Sequence, residues 1–496
     1  MRCLGRVFRP FNPREPNYED IIVRDFVDSV DESNLYCNYG VVPRRLEHSL
    51  LAISRYNRHS EPFSDRIKSY YDIAGDWLEK EFGAYLCDSK VYSLDTVMEW
   101  LRPMKSSGYP YTLKYPFKYD YYQSDDFQFY ATYWSKLSTT DYVHSLCSVT
   151  IKEEVRPIEK IKNGDVRTIV SMDVNHVLAH SQLCLHQNQR LVNTNMMHSS
   201  ALGLNILQGG FHKAALKLSK FGPRSVLELD GKKFDSRFRA YCFDKIRDFR
   251  FKMLSPGFRT PENFRRLFNL YKELSSAPLV NVDGFVFDRD AGNPSGQAST
   301  TPDNTFKNFM DWVVLWHLIM PVGMHSYHIF KENIVLLLCG DDSDVGVNSQ
   351  IHDLFNYETI SKVQHEIDME YHAAAPDFLD VGDSTFLGHR FTYTEIPELG
   401  YGMYLPTIDC ERMRTNMLIY NEKQTLACTI IRACGLRNET FACESCRSWF
   451  LRLINFIRVR YPSTDDLVVN AWKNYLTDRE LWEIYSGTKA VNVRKC

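Results

Sequence analysis

The sequence predicts an α+β fold, an antiparallel sheet backed by helices, and three observations carry that expectation. Short apolar runs end on acidic residues, in "RSVLELDGKKFDSRF" (224–238) and "NIVLLLCGDDSDVGV" (333–347). Two further stretches carry apolar residues every three or four positions, Phe238, Cys242, Ile246, Phe249 and Met253, then Phe306, Phe309, Val313 and Trp316, the spacing of a helix face. The resulting order is strand, helix, helix, hairpin, helix, strand, with the acids expected at one sheet edge.

A chain of 496 residues exceeds one simple core and suggests about two to four subdomains. With 44% hydrophobic and 14% aromatic residues it has the composition of a folded protein rather than a disordered one. Lys+Arg of 59 against Asp+Glu of 62 leaves a formal net charge of -3, so any polyanion must be met by locally segregated charge. Thirteen cysteines are scattered without regular pairing, which predicts reduced thiols. A zinc site at Cys443-Glu-Ser-Cys446, with Cys428 and Cys434 upstream, lacks the spacing of a four-ligand set. No apolar run reaches the length that crosses a bilayer, and the N-terminus lacks the apolar core of a signal peptide. A soluble chain is expected, with "MDWVVLWHLIM" (310–320), which carries Asp311 and His317, as a buried helix.

In chain order, the first 17 residues, rich in Pro and Arg, predict an extended arm. Residues 104–122, "MKSSGYPYTLKYPFKYDYY", predict a rigid surface loop packed by aromatics. Residues 151–170, "IKEEVRPIEKIKNGDVRTIV", predict two extended arms joined by a tight turn at Asn163-Gly164. That segment is basic through Lys152, Arg156, Lys160, Lys162 and Arg167, nearly balanced by Glu153, Glu154, Glu159 and Asp165. A strand ends at Asp230, and its turn reaches Asp235. A Gly-rich loop, "AGNPSGQASTTPDNTFKNF" (291–309), runs into a helix. The strand-turn-strand that follows bends at Gly340–Ser343, a helix is expected around 351–370, and "STFLGHRFTY" (384–393) reads as one more strand. The remainder is expected to be mainly helical.

Two adjacent acids at the tip of an apolar hairpin repel one another unless a cation neutralises them. Mg²⁺ favours carboxylate oxygens, substrate phosphates and water, and Asp230 is the third acid that would complete a site for two ions about 3.5–4 Å apart. A bare Gly-Asp-Asp is common in turns. The ordered set Asp230-Gly-Lys-Lys-Phe-Asp235, Ser295-Gly296 with Thr300 and Asn304, and Gly340-Asp341-Asp342 is more specific.

On these motifs the chain resembles the RNA-dependent RNA polymerases of positive-strand RNA viruses, in the picornavirus-like supergroup. The wording "GNPSGQASTT.DN" is most similar to astroviruses and astro-like viruses. Asp230 and Asp235 match motif A, Ser295 to Asn304 motif B, and Gly340-Asp341-Asp342 motif C. Lys152, Arg156, Lys160 and Arg167 match the spacing of motif F. "SSGYPY" (106–111) is similar to motif G along the template path, and "TFLGHRF" (385–391) to motif E, which supports the primer end. The resemblance spans residues 104–393.

The resemblance implies a right-hand polymerase with an antiparallel-sheet palm. The N-terminal arm and fingers would occupy 1–223, the palm 224–254 and 291–391, a fingers return 255–290, and a mainly helical thumb 392–496. Asp230 and Asp341 would bind two Mg²⁺ ions, for which Mn²⁺ can substitute, and Asp342 would complete the metal set by supporting the second acid. Asp235 and Asn304 would read the ribose 2′-hydroxyl. Ser295 and Gly296 would let the loop shift as the nucleotide docks, Thr300 would join the nucleotide-binding set, Arg167 would clamp the triphosphate, and Lys152, Arg156 and Lys160 would line the nucleotide tunnel. Gly108, Tyr109, Pro110, Phe386 and Leu387 would contact template and primer. The implied partners are template and product RNA, NTPs, a tyrosine-linked viral protein primer admitted by a short thumb, and viral replication proteins that attach the enzyme to membranes in the host cytoplasm.

Two positions depart from the family pattern. Asp165 stands where a lysine is usual. No lysine occupies the motif D position in "MEYHAAAPDFLDVGD" (369–383), which leaves the proton donor to pyrophosphate open, with His372 a candidate substitute. Two rivals remain: a reverse transcriptase, which would carry an aromatic gate at Asp235 and an aromatic-x-Asp-Asp hairpin, and an inactive RNA-binding scaffold. No Walker A loop, HExxH or GxSxG motif occurs, Gly292-Asn-Pro-Ser-Gly296 having the wrong spacing for the last.

Overall fold

The computed structural model of the protein describes residues 2–11, 13, 18–30, 38–56, 62–140, 145–420 and 425–488. Of the expected N-terminal arm, residues 1, 12 and 14–17 lie outside the described set.

The strand Val226–Gly231 forms where predicted, and the apolar hairpin folds as Ile334–Cys339 and Asp342–Val347 around a turn at Gly340 and Asp341. With Tyr371–Ala373 they make a four-stranded sheet in the order 334–339, 342–347, 226–231, 371–373, every pair antiparallel. Sequence places the acids at an edge. The structure instead puts Asp230 on an interior strand, so the acids share one end of neighbouring strands.

The strand 334–339 is a continuous apolar run because both its faces are covered. Ile334, Leu336 and Leu338 pack into the largest core, and Leu337 into a second core with Phe211, Val226 and Phe391. The helix Thr300–Ile319 lies in that largest core and is buried almost throughout. Its Asp311 is tolerated there because Lys307 pairs with it and Tyr71 donates to it at 2.8 Å, as a buried charge requires.

A second sheet joins Cys3–Arg6, Phe285–Phe287, Leu279–Val280, Cys147–Ile151 and Thr168–Ser171. The basic segment differs from the predicted simple hairpin. Its arms are Cys147–Ile151 and Thr168–Ser171, paired antiparallel, and the residues between form a strand Val155–Pro157 and a short helix Ile158–Lys162. Asn163-Gly164 ends that helix, with Gly164 at φ +67°, where a glycine is least strained. The expected surface loop 104–122 carries the short helix Lys118–Tyr122 and is partly buried, Tyr121 fully so.

Two more expectations change. The helix near 351–370 is only Tyr357–Val363 plus one tighter turn, because the Asn356 side chain caps its start and Asp368 turns left-handed at φ 55°. "STFLGHRFTY" is a hairpin, Thr385–Phe386 against His389–Ile396, since Leu387 and Gly388 both take positive φ, the geometry of a tight turn.

Among the described residues, the helix Asp478–Ser486 packs into a core with Ile396, Met403 and Leu405, while four helices between Cys410 and Ala471 build a separate one around Trp449, Phe450, Leu453, Ile454 and Ile457. Residues 18–30, which the sequence assigned to the arm and fingers, join this core. Val23, Phe26 and Val27 of the helix Ile21–Ser29 pack into it, and Tyr18–Glu19 pairs with Ile419–Tyr420. The next segment, Tyr39–Val41, pairs with Val155–Pro157 of the basic segment. The N-terminal chain therefore bridges the basic segment and the C-terminal helices.

Nine of the described cysteines are free, in keeping with reduced thiols, but Cys410 and Cys446 form a disulfide. Both lie in the first turns of helices whose Cα atoms approach to 5.4 Å. Cys443 joins them within 4.8 Å, whereas Cys428 and Cys434 lie outside this group. Among the described residues, no helix is long and apolar enough to cross a membrane.

Candidate active site

The acids reach one place through sheet register. Ser343 pairs with Leu229, so one further step sets Asp342 across from Asp230. The turn at Gly340 and Asp341 is held from the helix Thr300–Ile319. Thr305 Oγ1 accepts from the Gly340 N–H at 2.9 Å, and Asn308 Nδ2 donates to the carbonyls of Gly340 and Asp341 at 3.1 and 3.2 Å. Gly340 takes φ +68°. Thr305 and Asn308 escaped sequence reasoning, although both follow Thr301 at helical spacing.

Burial, then the charges of Asp341 and Asp230, raise the Asp342 carboxyl to about 6. Burial also raises Asp341. Like charges this close disfavour full ionisation, so the site has a deficit of positive charge.

Lys152, Arg156, Lys160, Arg167, Asp230, Asp235, Ser295 and Asp341 line a single cleft of about 1060 Å³. Arg55, Lys232, Lys233 and Arg412 line it too, and sequence reasoning did not single them out. Glu154 draws the cations together, 2.8 Å from Lys152, 3.5 Å from Arg167 and 3.7 Å from Arg156. Asp165, the departure from the family pattern, accepts from Arg55 at 2.9 Å and lies 3.6 Å from Arg156. It ties two cleft cations in place.

Asp235 sits deeper. Burial, then the Asp341 charge, raise its carboxyl to about 6, while the bond from Asn304, Nδ2 to Oδ1 at 2.7 Å, pulls the other way. The Gly-rich loop is fastened to the strand Thr168–Ser171: Ser295 Oγ accepts from the Val170 N–H at 3.0 Å, and the Gly296 N–H donates to Val170 at 2.9 Å. A Cβ on Gly296 would lie 2.8 Å from Ser171 Oγ and 3.2 Å from the Val170 carbonyl. Close approach of the strand behind it explains this glycine. Thr300 turns inward, donating to Pro294 at 2.8 Å.

The expected template and primer residues are less well gathered. Gly108 is wedged against Met172, whose carbonyl a Cβ would meet at 2.5 Å. Tyr109 is buried and only Pro110 is exposed. Phe386, expected at the primer, is instead core, with 1% exposure among Phe211, Val226 and Phe391. Apolar burial claims its ring, and Leu387 packs against the same core. Gly388 at the hairpin tip is the residue that lines the cleft. His372 pairs directly across from Asp230 and lies 3.3 Å from Glu370.

The family model of viral RNA-dependent RNA polymerases matches residues 14–456. The chain is 28% identical over 291 residues to the non-structural polyprotein 1AB of Turkey astrovirus 1, covering 57% of this chain and 17% of that protein. It is 24% identical over 356 residues to the genome polyprotein of Peanut mottle virus (strain M), covering 69% of this chain and 10% of that one. The chain thus spans less than a fifth of these relatives' length. In structure it is similar to the Sicinivirus 3Dpol RNA dependent RNA polymerase, with a TM-score of 0.70 at 13% identity over 95% of this chain and 99% of the other. That likeness shows the right-hand polymerase fold.

Proposed function

Because this chain belongs to the viral RNA-dependent RNA polymerase family, we propose that its cleft transfers a nucleoside monophosphate from an NTP to the 3′-hydroxyl of an RNA strand under template direction. The 3′-oxygen bonds to the α-phosphorus, the α–β phosphoanhydride bond breaks, the hydroxyl proton departs and pyrophosphate leaves. The observation that supports this most is the meeting of Asp230 and Asp341 with Lys152, Arg156, Lys160 and Arg167 in one cleft.

Asp230, Asp341 and Asp342 are the residues that would hold divalent ions. An all-oxygen donor set in which Asp341 and Asp230 help burial to raise the Asp342 carboxyl suits a hard dication that completes its shell with water and phosphate. Bound there, two Mg²⁺ or Mn²⁺ ions would supply Lewis-acid activation of the 3′-hydroxyl and charge neutralisation on the leaving phosphates. Arg167, half exposed at the cleft wall, is suited to grip a triphosphate bidentately, with Lys152, Arg156 and Lys160 adding positive field along the approach.

Asp235 and Asn304 form the ribose reader. A carboxylate accepts from the 2′-hydroxyl and an amide N–H donates to it, a combination that favours ribose over deoxyribose. Fingers at 1–223 and 255–290, palm at 224–254 and 291–391 and thumb at 392–496 frame the RNA channel, with residues 18–30 of the first segment packed in the thumb core. Of the expected template and primer contacts, Pro110 is exposed and Leu387 partly so, and the neighbouring Gly388 lines the cleft. A viral protein primer, and membrane attachment through other viral replication proteins in the host cytoplasm, complete the proposal. Efficient initiation from NTPs alone would remove the protein primer from it.

The test is extension of a primed RNA template with Mg²⁺ and labelled NTPs, comparing the wild-type chain with Asp341→Asn. Extension that the substitution abolishes supports the assignment. Equal extension by both proteins places the chemistry elsewhere, and none by either favours the scaffold.

A further inference from the structure

The two ribose-reading side chains are the visible end of a buried chain of amides. Asn304 gives its Nδ2 to Asp235 and takes, on Oδ1, a hydrogen bond from Asn293 Nδ2 at 2.8 Å. Gln297 Nε2 donates to Asn293 Oδ1 at 3.3 Å and to Asp303 Oδ2 at 3.2 Å. Asp303 Oδ1 accepts from Arg250 Nε and Nη2 at 2.9 and 2.7 Å, and Tyr271 Oη lies 3.2 Å from both its oxygens. Arg250, Asp303 and Asn293 are completely shielded from solvent.

The direction of this chain is forced by its fixed ends. The Asp303 carboxylate can only accept, so Gln297 must turn its NH₂ towards it. The Ser299 N–H can only donate, and it points at Gln297 Oε1 at 2.6 Å. With the NH₂ of Gln297 thus oriented, Asn293 must present its carbonyl to Gln297 and its own NH₂ to Asn304. Asn304 then has its carbonyl occupied, and its NH₂ faces Asp235, which lines the cleft. Reversing Asn304 would set a carbonyl against a carboxylate and leave Asn293 a buried donor without an acceptor, both unfavourable. Asn293 is itself pinned, because its N–H donates to the Asp235 carbonyl at 2.8 Å.

We propose that Asn293, set by Gln297, Asp303 and Arg250, is a specificity-determining positioning residue that locks the Asn304 amide in the orientation that donates to a ribose 2′-hydroxyl. This rests on the polymerase reading above. Asn293 does not touch the nucleotide; it acts through Asn304.

The experiment measures kcat/KM for an NTP and for the matching 2′-deoxy-NTP in single-nucleotide extension, for wild type, Asn293→Leu and Gln297→Met. Both variants keep side-chain size and remove the amide. The expected result is a drop of about tenfold in NTP efficiency for Asn293→Leu, smaller for Gln297→Met, with deoxy-NTP efficiency little changed, so that discrimination falls. A discrimination ratio that stays at the wild-type value, or an equal loss for both nucleotides, overturns the proposal and leaves the amides a structural role. If Asn293→Leu does not fold, Gln297→Met decides. Wild type that fails to extend RNA at all overturns the polymerase reading instead, and wild type that extends without preferring ribose overturns the ribose reader on which the lock depends.

Discussion

Arg167 faces Glu154 across 3.5 Å, so the cation best placed to grip a triphosphate is already engaged by a carboxylate. The same Glu154 holds Lys152 and Arg156, and it spreads its charge over three cations that would otherwise repel. An incoming triphosphate has to compete with it. Glu154→Gln is therefore expected to lower the KM for NTP about two- to fivefold at low salt, an advantage that shrinks as salt screens the site. It should also destabilise the fold by about 1 kcal/mol, since two of these side chains are mostly buried. Steady-state titration and urea unfolding measure the two effects, and an unchanged KM would show that Arg167 does not meet the triphosphate.

Asp341→Asn separates chemistry from stability. Asp341 raises the carboxyl pKa of both Asp342 and Asp235, so its negative charge is unfavourable to the folded state. Removing it should reduce RNA synthesis by more than about a hundredfold while leaving the melting temperature in chelator at or above that of wild type. A variant that is inactive because it melts early would count against the electrostatic account.

The sheet and the acids were legible because their signals are local: an apolar run of strand length, then two aspartates and a glycine at its turn. Asp230 and Asp341 meet as the motif order suggested. The chain of Asn293, Gln297 and Asp303 was not legible, although the sequence prints all of them within the loop 291–309. Its anchor, Arg250, comes from a helix 53 residues away, and nothing in its spacing marks it. Phe386 failed as a primer contact for the opposite reason. Its motif was recognisable, but which side of a hairpin faces the core depends on packing against Phe211 and Phe391. The association of residues 18–30 with the C-terminal helices depends on contacts such as Thr429 donating to Asp20, 409 residues apart.

Gly296→Ala tests the fastening of the loop to the strand behind it. The added methyl would press on Ser171 and the Val170 carbonyl, so either the loop or the strand that follows Arg167 must move. A loss of about 1–3 kcal/mol is expected, with RNA synthesis reduced because Ser295 and Arg167 lose their common register. Thermal melting and primer extension check this together. A variant with wild-type stability would mean that the loop already yields by several tenths of an ångström.

Asp342 supplies a pH signature for the metal site. Its carboxyl is held at about 6, against an ordinary 3.8, by burial and by Asp341 and Asp230. Between these values the folded state keeps a proton that the unfolded chain has released, so this residue's contribution to stability falls as pH rises through the window from about 4 to 6. Asp342→Asn cannot ionise. In chelator its melting temperature should therefore gain on wild type as pH rises from 4.5 to 7, whatever other groups titrate in both proteins. Mg²⁺ reverses the balance by favouring the ionised carboxylates, so the wild-type melting temperature should rise more on adding Mg²⁺ at pH 7.5 than at pH 5. A variant-minus-wild-type difference that stays flat with pH would show that Asp342 is ionised throughout, and that Asp341 and Asp230 do not raise its carboxyl.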